Sequence, residues 1–288
     1  MKFCFIAKHR GIWPVGWMCG ALGVSRGGFY GWLTRPRSAR SRSDEEVAGK
    51  VRASFETSGR TYGARRVLRD LWAAGVSCGL HRIERLMRQQ ALKARPRRRR
   101  LPCDAGDRAT AAVAPNLLDR SFEAPCANRK WVADFTYIWT GEGWLYVAAV
   151  LDLFSRRIVG WSMSAAMTAQ FVVDALLMAI WRRGKFDALL YHSDRGSQYT
   201  SEQLQDLLME LGITCSMSRA GNCWDNAAME SFFSSLKIER TARKNYRTRD
   251  EARADVFDYI ERFYNPVRRH STIGYISPME FERRAAVP

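Results

Sequence analysis

Three carboxylates stand in settings where a carboxylate is expensive to keep. Asp194 ends Leu189-Leu190-Tyr191-His192, a run that reads as a buried strand, and the flexible Gly196 lets the chain turn sharply after the acid. Glu230 follows after 35 intervening residues, near the start of a strongly periodic helix. Asn222 and Asp225 are candidate caps for that helix, and Phe233, Leu236 and Ile238 are candidates for packing. The interval has room for one helix (201–211), one short strand (213–217) and a loop. Asp134 lies inside the apolar strand W-V-A-D-F-T-Y-I, where an ionised carboxylate is costly unless it is paired or bound to metal. One acid within a strand, one at the end of its neighbour and one on a helix packed over the sheet can converge. Mg²⁺ and similar hard cations want such oxygen ligands, and two of them roughly 4 Å apart can activate a nucleophile and stabilise a leaving oxygen in line with it. That is chemistry for a phosphodiester.

The elements that would position these acids follow from periodicity. Residues 131–139 alternate as a strand, Thr140-Gly141-Glu142-Gly143 makes a hairpin turn into 144–153, and 157–161 forms a third strand. A helix at 168–181 and the strand ending at Asp194 complete an α/β layer fold. A further helix at 248–264 and a loop over 265–278 end the chain. Other polar groups in this region read as structural. Asp152 would be structural, through hydrogen bonds or by pairing with Arg156 or Arg157, Asp225 would cap, and His192 would pack. Tyr199 and Trp224 read as core residues ahead of stacking on a frayed base.

The formal charge of +17 lies entirely in the first third, with 23 Lys+Arg against 6 Asp+Glu in residues 1–100 and 23 against 23 thereafter. Such an excess points to a polyanion, with nucleic acid ahead of a membrane surface. Residues 15–32 fit a helix-turn-helix pattern. Met18, Leu22, Val24, Phe29 and Trp32 would pack, Gly23 would turn, Ser25 would cap and Arg26 would point outward. The basic run 35–42 reads as a linker. Helices at 44–56, 64–74 and 80–90 then form a second unit, leaving Arg65, Arg66, Arg69, Arg82, Arg85 and Arg88 off the core stripe for phosphate contacts. Arg97, Arg98, Arg99 and Arg100 open a connector that could track a DNA backbone. Seven cysteines without a C-x-x-C suggest neither a disulfide framework nor a zinc site, and no apolar run has the length of a membrane span. Reduced thiols in a cytosolic protein are the default expectation. Five regions result: 1–42 and 43–100 as helical DNA-binding units, 101–128 as linker, 129–247 as catalytic core and 248–288 as C-terminal helix and tail.

Four blocks in order carry a resemblance: D-F-T-Y-I at Asp134, L-D-L-F-S-R-R-I-V-G-W, H-S-D-R-G-S-Q-Y-T-S at Asp194, and G-N-C-W-D-N-A-A-M-E-S-F-F-S-S-L-K-I-E at Glu230. With the stretch from W-P-V-G-W to Y-I-S-P-M-E-F-E, the chain resembles insertion-sequence transposases whose second reading frame encodes a retroviral-integrase-like core. The resemblance implies a ribonuclease-H-like fold in which Asp134, Asp194 and Glu230 bind two Mg²⁺ or Mn²⁺. It implies release of a 3′-OH at an element end, then transesterification into double-stranded target DNA. It also implies a homo-oligomer on DNA, and an upstream-frame product supplied separately or by frameshift fusion. Lys237 lies two helical turns after Glu230 and Asn226 one turn before it, so both share its face, with Lys237 along the DNA backbone. A transposition regulator with an inert core and a hydrolysis-only ribonuclease-H-type nuclease are the rival readings.

Overall fold

In a computed structural model that describes residues 1–34, 38–95, 114–184, 186–219 and 223–286, a five-stranded mixed sheet is the centre of the molecule. The strands are β1 (Lys130–Thr140), β2 (Gly143–Asp152), β3 (Ile158–Ser164), β4 (Leu190–Ser193) and β5 (Thr214–Met217), in the order β3-β2-β1-β4-β5. β1, β2 and β3 are antiparallel, and β4 and β5 run parallel to β1. The strands are apolar on both faces because both faces are covered. Trp131, Ala133, Ala148, Val150 and Val159 pack under α7 (Ala169–Arg183) and α8 (Glu202–Glu210). The alternate residues Val132, Val147, Ala149, Leu151 and Ile158 meet α9 (Ala227–Leu236) and α10 (Arg249–Phe257). α9 and α10 each run on into a π-type segment, Lys237–Thr241 and Asp258–Tyr264.

α7 lies so close to β3 that a Cβ on Gly160 would sit 2.1 Å from the Ala175 carbonyl oxygen. The residues beyond 247 are not an appendage. Ala252, Val256, Tyr259 and Ile260 belong to the core beneath the sheet, and the Asn265 amide bonds both the N–H and the carbonyl of Ile158. A last helix, α11 (Pro278–Ala285), stands where the sequence suggested only the end of a loop, with Ser277 accepting from the Glu280 N–H and proline at its start. Its Glu282 bonds Ser155 at 2.6 Å, Arg157 at 2.7 Å and also Arg183.

Ahead of the sheet lie two helical units. α1 (Lys2–His9), α2 (Val15–Ala21) and α3 (Arg26–Thr34) enclose a small core of Ile6, Met18, Cys19 and Phe29, with Leu22 and Val24 against it. Ser25 caps α3 by accepting from the Gly28 N–H at 2.9 Å. Trp32 is 41% exposed, at the edge of this core, with its ring against Phe29 and against Phe3 of the unforeseen α1. α4 (Ala39–Thr57), α5 (Ala64–Ala73) and α6 (Leu80–Gln89) form the second unit around Val51, Phe55, Val67, Leu71, Ile83 and Leu86. α4 begins inside the stretch read as linker, because Ser38 caps it by accepting from the Ser41 N–H. Among the described residues no helix is long and apolar enough to cross a membrane.

Gly160→Ala is expected to cost about 3 kcal/mol or more in urea unfolding, since helix and strand backbones must separate. Gly49→Ala, in the middle of α4 with nothing within 4 Å of an added Cβ, is expected to leave stability unchanged or raise it by about 0.5–1 kcal/mol.

Candidate active site and nucleic-acid interface

The parallel register of β1 and β4 pairs Lys130 with Leu190, Trp131 with Tyr191 and Val132 with His192. Asp194 lies two residues past the last of these pairs, as Asp134 does on β1, and its carboxylate is near enough to raise that of Asp134. Both acids share the alternation of Val132 and Leu190, which face α9. Asp194 follows the carboxyl end of β4, where open α/β sheets form their binding crevices. Its Oδ1 accepts from the Gly196 N–H at 2.9 Å, and a Cβ on residue 196 would lie 3.0 Å from that oxygen. Gly196 is needed for room at the acid, not for an unusual backbone angle.

α9 brings in Glu230 from above. Its first turn is tied down by Asn226, whose Nδ2 donates to the Ala133 carbonyl at 3.2 Å, one residue before Asp134. Burial, then the neighbouring Asp194 carboxylate, and more weakly Glu230, push Asp134 up to about 8; the Phe135 N–H and Lys237 pull the other way. Glu230 is exposed on its helix, and what burial it has raises its carboxyl above the ordinary value. Among the described residues, no group of three or more His, Cys, Asp and Glu is gathered tightly enough to hold a metal ion. The two aspartates are neighbours across a strand pair, and Glu230 reaches them through charge. Oxygen donors with a mutual ionisation cost are nonetheless the donor set a hard divalent cation fits.

Lys237, where α9 gives way to its π-type continuation, sits over the Tyr137 ring with Nζ 5.2 Å from the centroid. It borders an open cavity of about 450 Å³ with Trp139, Lys244 and Tyr246. Asn226 was expected on the DNA side, but it is buried and orients α9, with its Oδ1 left without a partner. His192 is a packed strand residue whose ring nitrogens meet Ser216 and Ser218 at 2.9 and 3.1 Å, and burial lowers it to about 4. Tyr199 is likewise buried. Asn222 lies outside the described residues, as does the side chain of Trp224.

Two expected pairings are corrected. Asp152 is structural, but its partner is Arg183 at 3.0 Å together with the N–H groups of Asn128 and Phe154; Arg157 is taken by Glu282. Asp225 does not cap α9. It is fully buried and held by Asn116 at 2.8 Å, by Arg120 at 3.3 Å, and by the Arg219 N–H and guanidinium at 3.0–3.1 Å. Against the cost of burial, the Arg219 bonds and then Arg120 keep its carboxyl down near 2. This clamp anchors the approach to α9, and it was missed because its arginines are remote or unpatterned in sequence.

The basic face is smaller than the charge count suggested. Arg26 and Arg65 are exposed, as are Arg69 and Arg88. Arg82 and Arg85 are both spent on Asp44, each at 2.7 Å. Arg66 faces the catalytic core, 3.6 Å from Glu239, with its guanidinium 5.4 Å from the Tyr62 ring centroid. Arg97, Arg98, Arg99 and Arg100 lie outside the described residues.

Comparison with known proteins adds a lineage to this geometry. The chain matches the Integrase core domain family over residues 124–223 and again, by a second integrase core description, over 211–278. Residues 42–100 match an HTH-like domain family. The transposase InsF of insertion sequence IS3A from Escherichia coli (strain K12) is 42% identical over 286 residues, covering 99% of each chain. An insertion element IS600 31 kDa protein from Shigella sonnei is 39% identical, covering 93% of this chain and 98% of that one. Among solved structures, the catalytic core domain of BIV integrase overlaps 55% of this chain and 95% of its own at 22% identity and a TM-score of 0.42.

Arg65→Ala is expected to reduce the slope of log affinity for duplex DNA against log salt by about one, whereas Arg82→Ala lowers thermal stability and leaves that slope unchanged. The Asp225 clamp has a pH signature. A carboxyl held near 2, below its ordinary 3.8, contributes stability that is present above about pH 4 and lost as pH falls toward 2. Urea unfolding of Asp225→Asn is therefore expected to show a deficit against wild type at neutral pH that shrinks across that window.

Proposed function

The chain belongs to the transposases of IS3-type insertion sequences, and we propose that Asp134, Asp194 and Glu230 are the carboxylates with which it cuts and joins DNA. Its activity is DNA transposition, by a polynucleotidyl transferase of the integrase-core kind. The observation that supports the residue assignment is the β1–β4 register, which ends two residues before Asp134 and Asp194, together with the effect of the Asp194 and Glu230 charges on Asp134. The raised ionisation cost of Asp134 supports a cationic occupant, because a carboxylate penalised by its own neighbours is relieved by positive charge.

In this reading Asp134, Asp194 and Glu230 hold Mg²⁺ or Mn²⁺, two ions in the working site. Bound there, such cations supply an activated attacking oxygen and charge stabilisation for the leaving oxygen of an in-line phosphodiester displacement. Asp134 acts from within β1 and Asp194 from just past the end of β4, and the three acids draw closer together around the cations they hold. Glu230 closes the site from α9. Lys237, on the same face two turns along, takes a backbone phosphate of the entering strand, with Tyr137 beneath its ammonium. Arg26, Arg65 and the segment of Arg97 to Arg100 hold flanking duplex by its phosphates. The protein works as a homo-oligomer that binds two element ends together, and the upstream-frame product joins it as a partner or by fusion.

Strand transfer by the full chain on an element-end duplex with Mg²⁺ separates this reading from an inert regulator, which does neither step, and from a nuclease that only hydrolyses. Asp134→Asn and Asp194→Asn are each expected to lower both 3′-OH release and joining by about a thousandfold or more. Independently of turnover, Mg²⁺ or Mn²⁺ is expected to raise the melting temperature of wild type and not of either variant. Joining that survives Asp194→Asn would refute the assignment.

A further inference from the structure

On the far side of α9 from the carboxylates is a partly enclosed cavity of about 150 Å³, walled by α5, the β2–β3 turn, α9 and the loop after Tyr264. Its lining includes Arg66, Arg156, Arg268 and His270, with the hydroxyls of Ser231 and Thr272. The charges there do not balance. Glu239 is shared: Arg268 grips it through Nε and Nη2 at 2.7 Å each, and Arg66 stands 3.6 Å away. Among the described residues, no carboxylate lies within ion-pair reach of Arg156. Burial pushes both the Arg156 and Arg66 guanidiniums below their ordinary value, and the group that opposes this at Arg156 is the Tyr264 phenol. Arg156 also sits at φ 64°, a left-handed backbone in which glycine would be cheaper, so its long side chain is held inward at a cost.

Partly buried guanidiniums in excess over carboxylates are unstable without an anion. Hydroxyl donors beside them and a cavity of this size suit a tetrahedral oxyanion, whose oxygens accept from several directions at once. We propose that this cavity is a phosphate-binding pocket with Arg156 as its principal cation, joining the second helical unit to the catalytic core through a shared phosphate. Arg66 comes from the HTH-like segment, Arg156 from the first integrase-core match and Arg268 from the second, so an anion here bridges three parts of the chain. The phosphate group is the recognised chemistry. It can come from the backbone of bound DNA or from free inorganic phosphate.

The test is thermal unfolding of the full chain without divalent cations, with inorganic phosphate exchanged for chloride at constant ionic strength. Wild type is expected to gain melting temperature with phosphate. Arg156→Gly, which suits the left-handed backbone and so folds, is expected to need at least tenfold more phosphate for the same gain, and Thr272→Val is expected to weaken the response without altering the fold. No response beyond chloride in wild type, or an equal response in all three proteins, overturns the pocket. Duplexes carrying one methylphosphonate at successive positions identify the source. If DNA fills the pocket, one neutralised position weakens wild type but not Arg156→Gly, and free phosphate competes at that position. If free phosphate fills it, phosphate and DNA bind independently, and the Arg156 dependence of the thermal shift still supports the site. None of these readings requires the carboxylate site, so loss of one proposal leaves the other standing.

Discussion

Two aspartates forced into adjacent positions by one strand register are the constraint on which the catalytic half of the molecule turns. The pairing of β1 with β4 buries Trp131, Val132, Tyr191 and His192 on the two covered faces of the sheet, where each side chain is fitted to its own neighbours. With that register set, Asp134 and Asp194 cannot avoid each other, and Asp134 bears the ionisation cost. The sheet stays in place because burial on both faces outweighs the repulsion of one acid pair. The acids remain poised because nothing apolar can relieve them.

The same logic governs the arginines. A net charge of +17 suggests a surface made for DNA, yet much of the guanidinium count is spent inside the protein. Arg82 and Arg85 fasten α6 to α4 through Asp44. Arg183 bridges Asp152 and Glu282, and Arg269 joins the catalytic half to Asp70 of the second helical unit at 2.5 Å. Arginine suits these places because its planar fork satisfies a carboxylate with two bonds and keeps its charge when buried. The positive surface left to solvent is thus narrower than a residue count implies, and Arg26 and Arg65 are among its exposed members.

What the sequence disclosed and what it hid divide along the range of the interactions. The strands at 131–139 and 144–153, the hairpin at 140–143 and the helices over 168–181 and 201–211 were legible because they follow from local periodicity and turn chemistry. The acid pair was legible because a lone Asp in an apolar strand demands an explanation. Hidden were features set by distant partners: Asp152 with Arg183 instead of the adjacent Arg156 or Arg157, Asp225 in the grip of Arg219 and Arg120, and Arg66 turned to Glu239. Nothing in the spacing of those residues encodes the pairing; it arises only when the elements pack. α1 and α11 escaped for a simpler reason: each is only eight residues long, and the apolar residues of α1 run consecutively from Phe3 to Ala7 and so set no helical period.

α9 is where these separate constraints meet. At its beginning, Asp225 is locked to Arg219 and Arg120 while Asn226 is bonded to Ala133. Past its end, Glu239 is gripped by Arg268, receives the Tyr259 hydroxyl at 2.8 Å and draws in Arg66 from α5, and the Arg95 guanidinium reaches the Ile238 carbonyl at 3.3 Å. A helix fixed at both ends leaves little freedom to the residues between. Glu230 and Lys237 are those residues, one facing the aspartates and the other the approach to them. The π-type turn at Lys237–Thr241 follows from this double anchorage: the helix is widened by one residue just where the register that suits the sheet must be reconciled with the register that lets Glu239 meet Arg268. The position of α9 therefore depends on contacts at both its ends, made chiefly by the C-terminal segment through Arg268 and Tyr259 and joined by Arg66 of the second helical unit.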